Sequence, residues 1–152
     1  MSRKHSSAAC LALGAAIMLT GCASAAPAEA PPATVTRIAG SQVSRLELTD
    51  RAIQRLGIRT QPVREAAQAG QGPGTTGARE VIPYSAVVYD TDGSTWTYVN
   101  TAARTYVRQP IVIAAIQGDV AVLSGGPRAG AAVVTVGAAE LLGTEYNISG
   151  EE

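Results

Sequence analysis

Val81-Ile82-Pro83-Tyr84-Ser85-Ala86-Val87-Val88-Tyr89-Asp90-Thr91-Asp92-Gly93-Ser94-Thr95-Trp96-Thr97-Tyr98-Val99 is the stretch that decides the fold class. It is rich in Val, Tyr, Thr and Trp, side chains that suit a pleated, half-buried surface. Asp92-Gly93 breaks it at a pair that accepts the backbone of a tight hairpin turn. Toward the C-terminus the same texture continues. Strands are expected over Val81 to Tyr89, Thr95 to Val99, Tyr106 to Ile116, Val120 to Leu123 and Ala132 to Val136. Gly118-Asp119 marks a second tight turn, and Gly125-Gly126-Pro127-Arg128-Ala129-Gly130 a longer reversal. Short strands at this spacing imply a mainly β fold, a small antiparallel β-barrel or sandwich, over residues 80 to 146. A short helix over Ala138 to Leu142, stopped by Gly143, lays Leu141 and Leu142 across one end, and 147 to 152 form a tail.

Toward the N-terminus, residues 66 to 79 hold glycines and a proline with no apolar period, the composition of a flexible linker. Ahead of it, 44 to 65 read as strand, helix, strand. Leu46 and Leu48 alternate with polar neighbours; Thr49 caps a helix over Asp50 to Leu56, with Ile53 and Leu56 three apart and Gly57 as its stop. Ile58 to Val63 then reads as an edge strand, because Pro62 has no N–H for a second ladder. Residues 22 to 43 begin Cys-Ala-Ser-Ala-Ala-Pro and carry too few large apolar side chains at first to offset ordering, so a tether is expected there.

Residues 1 to 21 have the order of a secretory signal: Arg3, Lys4 and His5, an apolar run to Thr20, then small residues. That run, from Ala8, is about 13 residues, short of the roughly 20 that span a bilayer as a helix. Leu19-Thr20-Gly21-Cys22 resembles the lipobox of bacterial lipoprotein precursors, which implies lipid attached at Cys22 and cleavage before it. Cys10 leaves with the signal, so a mature chain held by lipid on the outer side of a membrane, with no disulfide, is expected. Ala23 and Ser24 after the cysteine lack the aspartate that keeps many lipoproteins at an inner membrane, and either membrane stays open.

Removing Arg3 and Lys4 leaves ten arginines against twelve acids, with no lysine and no histidine. No basic field for nucleic acid results. Without histidine or a free thiol, general-base and nucleophilic catalysis lose their usual side chains, and a non-enzymatic role with no cofactor is expected. Asp90-Thr91-Asp92-Gly93 opens like a calcium loop, but no further acid follows until Asp119, so a hairpin turn is the preferred reading. The glycines at 125 to 130 lack the following helix, lysine and hydroxyl of a phosphate loop, and Asn147-Ile148-Ser149 is a chance glycosylation triplet. Tyr84, Tyr89, Trp96, Tyr98 and Tyr106 could offer an aromatic platform, but aromatics are favoured strand residues and the filling of a sheet face or its edge is the preferred reading. Arg104, Arg108 and Arg128 are rim charges or solvated strand and turn positions.

Two stretches resemble the periplasmic adaptor (membrane-fusion) subunits of tripartite efflux systems, those of resistance-nodulation-division pumps in particular. Leu48 to Val63, with its Leu-Gly-Ile-Arg-Thr core at 56 to 60, is similar to the segment opening the family's β-barrel region. Val81 to Asp90, Gly93 to Val99, Val122 to Gly130 and Val133 to Leu142 resemble, in order and spacing, its membrane-proximal domain, which contacts the inner-membrane transporter. Between these segments the family carries a lipoyl-like domain and usually a coiled-coil hairpin; here only residues 66 to 79 stand there. The resemblance implies a lipid-anchored accessory subunit that docks on a transporter permease in the cell envelope. A free-standing envelope module binding glycan, peptide or small ligand is the alternative.

Overall fold

The computed structural model describes residues 30–69 and 76–147. The secretory signal, Leu19, Thr20, Gly21 and Cys22 of the lipobox, and Ile148 and Ser149 lie outside the described residues.

Within the described residues the chain is mainly β: two antiparallel sheets and two short helices, with the sheets facing each other as in a sandwich and not closing into a barrel. The larger sheet contains β1 (Ala33–Arg37), β2 (Ser44–Leu48), β3 (Arg59–Pro62), β6 (Val88–Tyr89), β7 (Thr95–Ala102), β8 (Thr105–Pro110) and β11 (Ala132–Val136). Its order is β1-β2-β8-β7-β11-β3, with β6 also paired to β7. The smaller sheet runs β4-β5-β10-β9, from β4 (Arg64–Ala69), β5 (Thr76–Pro83), β9 (Val112–Gln117) and β10 (Val120–Gly125). Helices α1 (Asp50–Leu56) and α2 (Ala138–Asn147) lie on the larger sheet's other face.

The period of two along each strand builds two cores from one sheet. Tyr98 and Val134 point to the helices, where Leu46, Leu48, Tyr106, Ala52 and Leu141 complete one cluster. Their neighbours Val99 and Val133 point the other way and pack with Ile82, Ala121 and Leu123 of the smaller sheet. Each fully buried aliphatic side chain among these contributes about 1.5–3 kcal/mol.

Several expectations hold in detail. Thr49 Oγ1 accepts from the Ala52 N–H at 3.2 Å, capping α1 as read from sequence. Gly57 ends that helix with φ 64°, the left-handed backbone that suits glycine. β3, with Pro62, pairs only with β11 and is an edge strand.

Others need correction. The tether expected over 22–43 contains β1, whose Val35 pairs with Leu46 and packs on the helix-side core; Val35 and the facing β2 supply the apolar contact a tether lacks. The linker expected over 66–79 contains most of β4 and the start of β5, which form a ladder from Arg64↔Val81 to Ala69↔Thr76. Backbone pairing joins these residues, and a ladder leaves no apolar signal to read in the sequence. The two pieces expected at 44–65 and 80–146 are therefore one structure, since β2 pairs with β8 and β3 with β11. The run Tyr106 to Ile116 divides at Ile111, where the chain passes from one sheet to the other, and a 3-10 turn at Tyr84–Ala86 interrupts Val81 to Tyr89. Finally, α2 continues past Gly143 to Asn147, into what was expected to be tail.

Candidate functional site

The extra turns of α2 matter because they carry Glu145 into the sheet. Ala138, Leu141, Leu142 and Glu145 share the helix's inner stripe at the 0, 3, 4, 7 spacing. At its inner end Glu145 meets Arg108, which stands directly across the β7–β8 ladder from Tyr98. Arg108 is 4% exposed and Glu145 3%. The rim charge expected at Arg108 is thus a buried one: it shares the face of Tyr106, two residues before it, and that face is covered.

The charges are compensated in a tight network. Arg108 Nη1 donates to Asp90 Oδ2 at 2.5 Å and lies 3.2 Å from the Tyr146 hydroxyl. Its Nε sits 3.4 Å from Glu145 Oε2, an ion pair without hydrogen-bond alignment. Tyr98 donates its hydroxyl proton to the same Oε2 at 2.5 Å, while the Ser44 N–H donates to Oε1 at 3.0 Å. Tyr146 donates to Asp90 Oδ1 at 2.7 Å. The guanidinium also stacks on Trp96, 4.5 Å from the ring centroid, and lies 5.6 Å from that of Tyr146.

This arrangement sets the protonation states. The Tyr146 hydroxyl, the Thr91 N–H and Arg108 hold the Asp90 carboxyl down at about 2. Burial, then the Glu145 hydrogen bond, pushes the Tyr98 phenol far above the ordinary tyrosine range. Burial pulls the Arg108 guanidinium down, but Asp90 and Glu145 more than offset it and its pKa is raised. Asp90 and Arg108 are thereby held charged and Tyr98 neutral across the physiological range, so these three side chains act as a clamp between α2 and the sheet.

The Asp90–Gly93 loop is a hairpin turn whose carboxylates are engaged: Asp92 Oδ1 accepts from the Ser94 N–H and hydroxyl at 2.9 and 2.6 Å, and Asp90 is held as above. Among the described residues no group of three or more His, Cys, Asp or Glu side chains is placed to hold a metal ion. The five aromatics do not form one platform. Tyr98 and Tyr106 are buried in the helix-side core, Trp96 covers Arg108, and only Tyr84 and Tyr89 stand exposed, their hydroxyls 3.1 Å apart. Beside Tyr89 a cleft of about 380 Å³ runs to the start of α2, lined by Ser85, Val88, Thr135, Gly137 and Leu142 among others. Arg104 is exposed with φ 61° and pairs with Asp50 at 3.1 Å, while Arg128 lies exposed in the β10–β11 reversal.

Sequence reasoning missed Glu145 and Arg108 as partners. The signal available was the helical spacing from Ala138 to Glu145, which Gly143 concealed. No helix among the described residues is long and apolar enough to cross a membrane. No protein-family model matches the chain, and no curated protein matches it.

Proposed function

We propose that this chain is a lipid-anchored, non-enzymatic accessory subunit of an envelope transport system, acting as the transporter-facing end of an adaptor. The observation that carries the reading is the way the chain closes on itself. The two stretches that resemble adaptor subunits are joined by the β4–β5 hairpin, whose arms pair from Arg64↔Val81 to Ala69↔Thr76. They also share ladders, β3 with β11. A chain lacking the lipoyl-like and coiled-coil parts thus keeps a continuous core across the join, as a working short adaptor requires. The clamp at Arg108 supports the same reading: its groups are spent on holding α2 to the sheet, leaving a rigid body suited to docking. Among the five strand aromatics of the expected platform only Tyr84 and Tyr89 are exposed, which gives the alternative, a ligand-binding module, less to rest on.

In this reading Cys22 carries the lipid, the protein sits on the extracytoplasmic face of a membrane, and docking becomes a two-dimensional encounter in which a weak interface suffices. In-membrane crosslinking of the tagged protein, with Cys22→Ala as the unanchored control and mass spectrometry as readout, tests it. Recovery of a transporter permease with the lipidated form alone is the expected result. Repeated recovery of no transporter with either form sinks the proposal.

A further inference from the structure

We infer that two copies of this chain pair on the membrane through the outer edge of β9, in antiparallel register, so that their smaller sheets become one continuous sheet; this rests on the lipid-anchored reading above. The choice of edge comes from the strands that end the sheets. Among the described residues these are β1 and β3 in the larger sheet and β4 and β9 in the smaller. β1 carries Arg37, β3 carries Arg59 and Pro62, and β4 carries Arg64 and Glu65. Charge and proline on an edge deter pairing with another chain, because a charge resists losing its water and proline has no N–H to give. β9 reads Val-Ile-Ala-Ala-Ile-Gln and holds neither. It is also open to solvent: Val112 is 59% exposed and Ile116 52%, and Ala114 and Ala115 between them are exposed. An edge of this composition is a template for a further strand.

The strand's own register selects a second copy as the occupant. Ile113 stands opposite Leu123 and Ile116 opposite Ala121, both residues of the inter-sheet core. Ile113 and Ile116 therefore face the larger sheet although they are three apart, an odd spacing that in a regular strand puts side chains on opposite faces. A bulge at Ala114 supplies the extra residue. In a two-fold antiparallel pair about the middle of β9, Ile113 of each copy stands opposite Ile116 of the other, and Ala114 opposite Ala115. Each copy thus lays its exposed Ile116 against a half-buried Ile113 on the same face, and no pair sets charge against charge. Without the bulge this axis would oppose an inward side chain to an outward one. Six residues make about 20 Å of edge, a contact below the roughly 1,200 Å² of a stable interface in dilute solution. Lipid anchors confine both copies to one surface and raise their effective concentration. The two-fold axis runs across the sheets, and the eight residues from Cys22 to Ala30, a contour of at most about 28 Å, allow both anchors to reach the same membrane.

The test uses the full mature acylated protein in phosphatidylcholine vesicles, where the lipid on Cys22 leaves no other thiol free. Ile113→Cys and Ile116→Cys are reconstituted separately and together at one surface density and oxidised with copper phenanthroline. A disulfide-linked dimer is expected from the mixture and hardly at all from either variant alone, because like positions would stand about 10 Å apart along the pair, beyond the roughly 7 Å that a disulfide bridges. A second measurement needs neither variant: energy transfer between donor- and acceptor-labelled copies carrying Ala129→Cys, an exposed position of the β10–β11 reversal, reads the paired fraction. Ile116→Lys, at a half-exposed position, should lower the ratio of paired to unpaired protein about 30-fold, since both copies lose an isoleucine that pairing buries. Val136→Lys, also exposed but beside the β3 edge, should leave it unchanged. Protein that floats with the vesicles but links as readily in one variant alone as in the mixture, that links in neither case, or whose energy transfer survives Ile116→Lys, overturns this inference while leaving the anchor standing. Protein that fails to float overturns the anchored reading and this inference with it.

Discussion

Replacing Arg108 with methionine tests whether the clamp holds the fold. The side chains of Arg108 and Glu145 are each 3% exposed, so the substitution leaves a carboxylate in the core without its counter-charge. Tyr98 at 2.5 Å and the Ser44 N–H at 3.0 Å still donate to it, but neither neutralises it. Removing one member of a buried pair costs about 3–5 kcal/mol. Loss of the stack on Trp96 adds to this, while the methionine's own burial subtracts a similar amount. At about 4 °C per kcal/mol for a domain of this size, the melting temperature should fall by roughly 12–20 °C. Asp90, at 14% side-chain exposure, remains partly solvated and contributes less to the loss. The paired variant Arg108→Met with Glu145→Gln should recover most of it, because replacing both charges of a buried pair is often close to neutral. Trp96 is the protein's single tryptophan and touches Arg108, so urea unfolding followed by its fluorescence, with far-ultraviolet circular dichroism beside it, reads both variants. A single variant within about 1 kcal/mol of the parent, or a double variant whose loss is the sum of the singles, would refute the clamp.

The same network sets the acid limb of stability. The Asp90 carboxyl is held at about 2 against an ordinary 3.8, so its contribution is complete above about pH 4 and is lost as pH falls from about 4 to 2. The urea midpoint of Asp90→Asn should be lower near neutrality and flatter across that window. At the alkaline side Tyr98, raised by burial, favours its protonated form, and Tyr98→Phe should lose less stability above pH 10 than the parent does. Gly137→Ala should cost about 2–3 kcal/mol by thermal melting, since φ is 88° and the added Cβ would collide with Ile58 Cδ1. Gly57→Ala, with φ 64° and open space around it, should cost only about 1 kcal/mol. Thr49→Ala removes the cap of α1 and should cost about 1 kcal/mol in the same assay.

Local chemistry was legible where a single residue type enforces a conformation. Thr49, Gly57, Pro62 and the Asp92-Gly93 turn each act through their own backbone or side chain, and each is found where the sequence puts it. What escaped reading depends on partners distant in the chain. Ala33 to Arg37 has only Val35 as a large apolar residue and becomes a strand because β2 offers it a ladder. Residues 66–69 and 76–79 show linker composition, yet their backbones pair, and a ladder needs no apolar side chain. Arg108 illustrates the hardest case. An arginine in a strand is ordinarily solvated; its burial follows only once a helix 37 residues later delivers Glu145 and Tyr146 to it. The alternation through Tyr106 and Arg108 pointed inward, but without the helix end it carried no reason for a charge to be there.

The β4–β5 hairpin also gives the proposed shortening a physical route. A two-stranded antiparallel ladder brings its ends side by side, so what lies beyond the tip can be long, short or missing without moving the arms. Here the arms are paired up to Ala69↔Thr76, and the core residues nearest the join, Val63 and Ile82, pack in the inter-sheet cluster at the other end of the ladder. Val63 is held there by its own backbone as well, donating to Ala131 O at 2.8 Å and accepting from the Gly130 N–H at 2.9 Å. The strain of any change between residues 69 and 76 is therefore taken up along the paired arms before it reaches the core. A flexible glycine-serine insert between residues 70 and 75 should accordingly cost under about 1 kcal/mol, since doubling the length of a closed segment adds only about 0.6 kcal/mol of closure entropy. Placing the same insert between Gly118 and Asp119 should cost more. There the Asp119 carbonyl accepts the Tyr84 N–H at 2.7 Å, tying the β9–β10 turn to the 3-10 turn that leads into β6.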